Sequence, residues 1–254
     1  DRPVSLQYTV DTAREAGMTI LTPPQNLISG KNYQGQADQI MAWVEQNAGR
    51  ADVMVLSTDT LIYGGLVDSR KHNIPLTTLE SRLKRIESLK ARNKNVRIYG
   101  FGTVMRSPRA SGGGTEPAYY AEYGPTIFQI AALQDKLDSG SLTQEETQKL
   151  MSLQASVPVE YLQDWFDRRQ KNMKINKELI DETRSGVFDY FALGHDDTSQ
   201  LSQSALEGRY LNKYSKDISV EKYGSFPGAD QLGLLLMARS RTDVSTEKPT
   251  FSVI

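Results

Sequence analysis

Val53-Met54-Val55-Leu56, followed at once by Ser57-Thr58-Asp59, is the stretch from which the fold can be read. Four apolar residues, two of them β-branched, fit a short buried strand, and the polar triplet ends it. Downstream, Leu79, Leu83, Ile86 and Leu89 recur at helical spacing, and Thr77 with Glu80 has the spacing of a capping box. A second apolar run over residues 96–101 then leads into Gly102-Thr103-Val104-Met105-Arg106. Strand, helix and strand in that order make a βαβ unit, which implies a parallel sheet with right-handed crossovers.

The alternation continues on both sides. Ala37, Ile40, Met41, Val44 and Ala48 mark a preceding helix, and Leu6, Val10, Ala13 and Ala16 an earlier one capped by Gly17. Between them, residues 18–21 read as a short strand stopped by Pro23-Pro24. Toward the C-terminus, residues 187–193 read as a strand ending in Gly194-His195-Asp196-Asp197. A polar loop follows, then Pro227 and Gly228 lead into a helix holding Leu232, Leu235, Leu236 and Ala238, and a last strand begins near Thr250.

Residues 107–186 break this rhythm. They open with the glycine-rich Ser111-Gly112-Gly113-Gly114 and then become helical, with capping-box spacing at Thr143 and Glu146. Leu162, Trp165, Phe166, Arg169 and Met173 form one face of a helix ending near Gly186. The expected fold is therefore α/β, a mostly parallel sheet of βαβ units carrying a helical insertion. The sheet would be either open and Rossmann-like or part of a β/α barrel. The first βαβ units occupy residues 1–106, the insertion 107–186, and the continuation of the α/β domain 187–254. Both ends read as cut, with an apolar strand expected before Asp1-Arg2-Pro3 and the final strand lacking its connection.

Composition narrows the partners. Thirty basic against thirty-one acidic residues form no basic stripe able to neutralise a phosphate backbone, which argues against nucleic acid. No apolar run approaches the length of a membrane span, so a soluble chain is expected, cytoplasmic or exported. The absence of cysteine excludes disulfides, zinc–thiolate sites and thiol catalysis. Walker, dinucleotide-fingerprint, nucleophile-elbow and His-Glu-x-x-His patterns are all missing, and no cofactor is expected.

In parallel sheets the loops after the strands share one rim, where ligands bind. Three polar clusters fall there: Ser57-Thr58-Asp59, Thr103 to Arg106, and His195-Asp196-Asp197-Thr198-Ser199. Asp1 and Arg2 join them if a strand precedes. Asp196 and Asp197 can divide general acid and base roles, can bind a metal with Asp59 and His195, or can cap a turn. Arg106 can clamp an anionic or hydroxyl-rich substrate, or brace the rim through a salt bridge. Tyr63-Gly64-Gly65 reads as a tight turn or a close backbone approach, His72 as a surface residue, and Glu207 as a solvated helix position.

Several segments together resemble the bacterial family catalogued as domain of unknown function 4127. They are Asp1-Arg2-Pro3-Val4, residues 57–70, residues 97–106, Gly194-His195-Asp196-Asp197-Thr198-Ser199 and Pro227-Gly228-Ala229-Asp230. The resemblance implies that the chain is the amino-terminal portion of a longer protein. It also implies an affinity with carbohydrate-active enzymes, through acid-rich strand ends, and a proline-rich turn where this chain has Gln200 and Leu201.

The leading expectation is a glycosidase-like hydrolase working on a carbohydrate or other small ligand. Asp196, Asp197 and Asp59 are its catalytic carboxylates, and Arg106, Tyr63, His195, Asp1 and Arg2 its substrate contacts. A metal-dependent hydrolase using Asp59, His195 and Asp196, or a non-enzymatic sugar-binding module, are the alternatives. The oligomeric state is left open.

Overall fold

A computed structural model describes residues 5–30, 33–111 and 113–244. Asp1, Arg2, Gly112 and the strand expected near Thr250 lie outside the described residues.

Four strands, β1 (Val53–Ser57), β2 (Arg97–Val104), β3 (Tyr190–His195) and β4 (Tyr223–Pro227), form one sheet in the order β1-β2-β3-β4. Every neighbouring pair is parallel, with Val53 opposite Arg97, Tyr99 opposite Tyr190 and Phe191 opposite Tyr223. The sheet is open among the described residues, because β1 and β4 each pair on one side only.

Strand periodicity sorts the side chains onto two faces. Met54, Leu56, Ile98, Val104, Phe191, Leu193 and Tyr223 pack with helices α2 (Ala37–Asn47), α5 (Leu76–Arg92) and the second half of α8 (Val159–Ser185). Val53, Val55, Tyr99, Phe101, Tyr190, Ala192 and Phe226 meet α10 (Leu232–Val244) on the other face. Burial on both faces explains why the strands read as continuous apolar runs rather than alternating ones.

Three helices stand between β2 and β3: α6 (Tyr120–Asp138), α7 (Gln144–Ser156) and α8. They share a second core of Tyr120, Ile127, Ile130, Leu133, Leu150, Val157 and Trp165. α8 belongs to both cores, since its Ile175, Leu179 and Ile180 lie in the sheet cluster. The Thr143–Glu146 capping box is present, and α8 ends on Gly186 at φ 85°, the left-handed cap its position implies.

Helix α1 (Gln7–Glu15) also ends as its sequence suggests. Gly17 N–H donates to the carbonyl of Arg14 and Met18 N–H to that of Ala13, which is a Schellman closure. Four local readings are corrected. Residues 18–21 form no strand, because no neighbour pairs with them among the described residues. α5 starts at Leu76 behind Pro75, so Thr77 is already inside the first turn and caps nothing. Part of the polar loop is a helix, α9 (Gln203–Tyr214), started by the Ser202 hydroxyl accepting from Ala205 N–H. The other part is β4, whose Tyr-Gly-Ser-Phe-Pro composition resembles a turn but suits an edge strand.

Candidate functional site

The carboxyl ends of the strands gather Asp59, Arg106, Asp196 and Asp197. At the end of β1 the Ser57 hydroxyl accepts hydrogen bonds from Thr60 N–H (3.3 Å) and Thr60 Oγ1 (3.0 Å), starting the short helix α3 (Thr58–Tyr63). The cap swings the chain across β2, where Thr58 Oγ1 donates to the Phe101 carbonyl at 2.9 Å. Gly102 makes that crossing feasible, since a Cβ there would lie 2.4 Å from Thr58 Oγ1.

Asp59 is thereby set beside Thr103, whose hydroxyl donates to Asp59 Oδ2 at 2.8 Å. Only 4% of Asp59 is exposed. Burial raises its pKa from 3.8 to about 7; the Thr103 hydrogen bond and the Arg70 charge oppose the rise, and the charge of Asp196 adds to it.

Arg70 is the cation at this point, delivered by α4 (Leu66–Ser69) after the turn at Gly64, which sits at φ 107°. Its side chain is 1% exposed, and Nη2 donates to Asp196 Oδ2 at 2.5 Å. Nε and Nη1 have no hydrogen-bond partner. Burial weighs against the charge of Arg70, the neighbouring Asp196 supports it, and Arg106 opposes it.

The adjacent aspartates diverge. Asp196 faces Arg70, whereas Asp197 accepts from Ser199 N–H (2.9 Å) and Ser107 N–H (3.3 Å), tying the loop after β3 to the end of β2. Arg106 donates from Nε to Glu116 Oε1 at 2.8 Å and from Nη2 to Thr115 Oγ1 at 2.7 Å. It thus braces the loop that begins after β2, while its charge still reaches Arg70.

His195 points elsewhere. Its Nε2 meets Ser225 Oγ at 2.7 Å, its ring lies against Gly208 of α9, and burial lowers its pKa. Tyr63 is buried against His72, ring centroids 4.9 Å apart, with its hydroxyl enclosed and without a hydrogen-bond partner. Its pKa is raised by burial and then by the charge of Asp59. The Gly64-Gly65 approach is to the chain's own backbone: a Cβ on Gly35 would lie 2.0 Å from the Gly64 carbonyl oxygen.

Behind the rim stands a brace supplied by α8. Buried Arg169 grips Glu207 of α9 with Nε and Nη2, both at 2.8 Å, and donates to the carbonyls of Met105 (2.7 Å) and Arg106 (2.9 Å). Asn176 Nδ2 donates to the Thr103 carbonyl at 3.2 Å. Glu207 is therefore buried and paired, not solvated. His72 is buried too, hydrogen-bonded to Asn172 at 2.8 Å, with its pKa pulled down to about 4 by burial.

The structure thus pairs Asp196 with Arg70, holds Asp59 on Thr103 within electrostatic reach of both, sets Asp197 and Arg106 as loop fasteners, and turns His195 aside. Among the described residues no three His, Cys, Asp or Glu side chains converge as a metal-binding group. A cavity of about 510 Å³ opens between the two rim loops and α6, lined by Arg109, Phe128, Ala132, Gln200 and Leu201. Sequence reasoning underweighted Arg70, whose one local signal is a cation shortly after the Tyr63-Gly64-Gly65 turn.

The family described as "Protein of unknown function (DUF4127)" matches residues 1–254, and the chain belongs to it. No curated protein and no solved structure matches the chain.

Proposed function

We propose that this chain is a glycosidase-like hydrolase whose acid is Asp59 and whose partner carboxylate is Asp196. The supporting observation is a buried carboxyl group with a pKa near 7 beside a second one ion-paired to Arg70. Acid-assisted cleavage of a glycosidic bond requires one carboxyl group that keeps its proton near neutral pH and a second carboxyl group on the other side of the bond. Asp59 would give its proton to the leaving oxygen. Asp196 would take the opposite face of the sugar, either activating a water or attacking the anomeric carbon. Asp197 and Arg106 are assigned to holding the loops, a change of role that follows from their hydrogen bonds.

The test is a panel of chromogenic glycosides, neutral and acidic, assayed with and without chelator. Turnover should be insensitive to chelator and should fall as pH rises through about 7, as Asp59 loses its proton. Asp59→Asn and Asp196→Asn should each lower kcat by about 10²- to 10⁴-fold while thermal unfolding stays cooperative. Full activity in Asp59→Asn would overturn the assignment. A ligand that binds and is recovered unaltered after long incubation would make the chain a sugar-binding module instead.

A further inference from the structure

Among the described residues, the buried side-chain polar atoms without hydrogen-bond partners are Tyr63 Oη, Arg70 Nε, Arg70 Nη1, Trp165 Nε1, Tyr223 Oη and Arg239 Nε. Half of them belong to Tyr63 and Arg70, the two residues whose surroundings include the charge of Asp59. Leaving a buried donor unmet costs about 1–3 kcal/mol, more for a charged group, so such atoms are rare unless something meets them.

The guanidinium geometry specifies what can do so. Arg carries five N–H donors on a rigid plane, arranged as two edges that each match a pair of oxygens. Asp196 engages Nη2 through one oxygen only. Nη2 contributes a hydrogen to each edge, so whichever edge Asp196 occupies, the other keeps both of its donors. Arg106 cannot substitute for Arg70, because Glu116 and Thr115 already hold it.

We propose that the open edge of Arg70 binds a planar or tetrahedral oxyanion carried by the substrate, so that the site takes acidic sugars: a uronate carboxylate or a sugar phosphate. The assignment rests on the hydrolase reading for the word "substrate" and deepens it. A bidentate Arg–oxyanion pair in an enclosed site gives strong discrimination, because a neutral analogue leaves the donors unpaired.

The experiment is equilibrium binding by isothermal titration calorimetry, which needs no turnover. Glucose, glucuronate, glucose 6-phosphate and inorganic phosphate are each titrated into the wild-type chain. At least one acidic sugar should bind tenfold or more tightly than glucose. Glucuronate ahead of glucose 6-phosphate identifies a carboxylate, and the reverse order a phosphate. Arg70→Lys retains the charge and loses the fork, and should erase the preference while circular dichroism shows a folded chain. If that variant fails to fold, the wild-type ranking still decides.

Equal affinity for acidic and neutral sugars, or binding of none of them, would overturn the proposal and leave internal water as the partner of Nε and Nη1. An acidic preference without cleavage of any panel glycoside would instead sink the hydrolase reading and leave the oxyanion site standing.

Discussion

Asp59 carries a stability signature separate from any activity. Its pKa in the folded chain, about 7, lies above its ordinary 3.8, so the folded state holds the proton more tightly. The associated stabilisation is complete below pH 4 and is lost as pH rises from about 4 to about 7. Asp59→Asn copies the protonated acid and does not titrate. It should melt higher than wild type at pH 8, by at most about 4 kcal/mol in stability, with the gap closing by pH 4. His72 acts in the opposite sense. Its folded pKa of about 4 lies below 6.5, and its contribution is lost as pH falls from 6.5 to 4. Because both proteins share His72, it cancels in the comparison, which thermal melts across pH 4–8 would check.

At the scale of elements, the rim is held from behind by one helix. Arg168 and Arg169 are neighbours on α8 and both are buried. Arg168 donates to the His72 carbonyl at 2.8 Å and to both oxygens of Asp164, while Arg169 joins α9 to the end of β2. A buried pair broken on one side leaves the other charge stranded, costing about 3–5 kcal/mol. Arg169→Met should therefore destabilise strongly in urea unfolding, and Arg169→Met with Glu207→Leu should recover part of the loss. Equal destabilisation by the single and double variants would show that the carbonyl contacts dominate. The helix itself was legible from its apolar spacing and from Gly186. The partners of its two arginines were not, because Glu207 lies 38 residues beyond Arg169 in a stretch with weak apolar periodicity.

Among the described residues three apolar clusters form, and α8 joins two of them. Trp165 lies in the cluster made with α6 and α7, and Ile180 in the cluster that covers the sheet. Trp165→Ala should cost about 3–5 kcal/mol locally. In hydrogen exchange it should loosen α6, α7 and the first half of α8, leaving β2 and β3 protected. Ile180→Ala should raise exchange across the sheet as well. A uniform increase from Trp165→Ala would show a single cooperative unit. No helix among the described residues is long and apolar enough to cross a membrane.

Parallel strands and their covering helices were readable from the chain alone, because burial on both faces writes itself as apolar runs and 3.6-residue spacing. The rim was readable too: Asp59, Arg106, Asp196 and Asp197 each lie within two residues of a strand's end, and strand direction carries them to one end. Which of them meet was settled by packing. Arg70 joins Asp196 across 126 residues, Asp197 turns back to Ser107, and His195 turns toward Ser225, since adjacent residues leaving a strand point opposite ways. No local pattern encodes such pairings. They depend on where α4, α8 and α9 come to rest against the sheet.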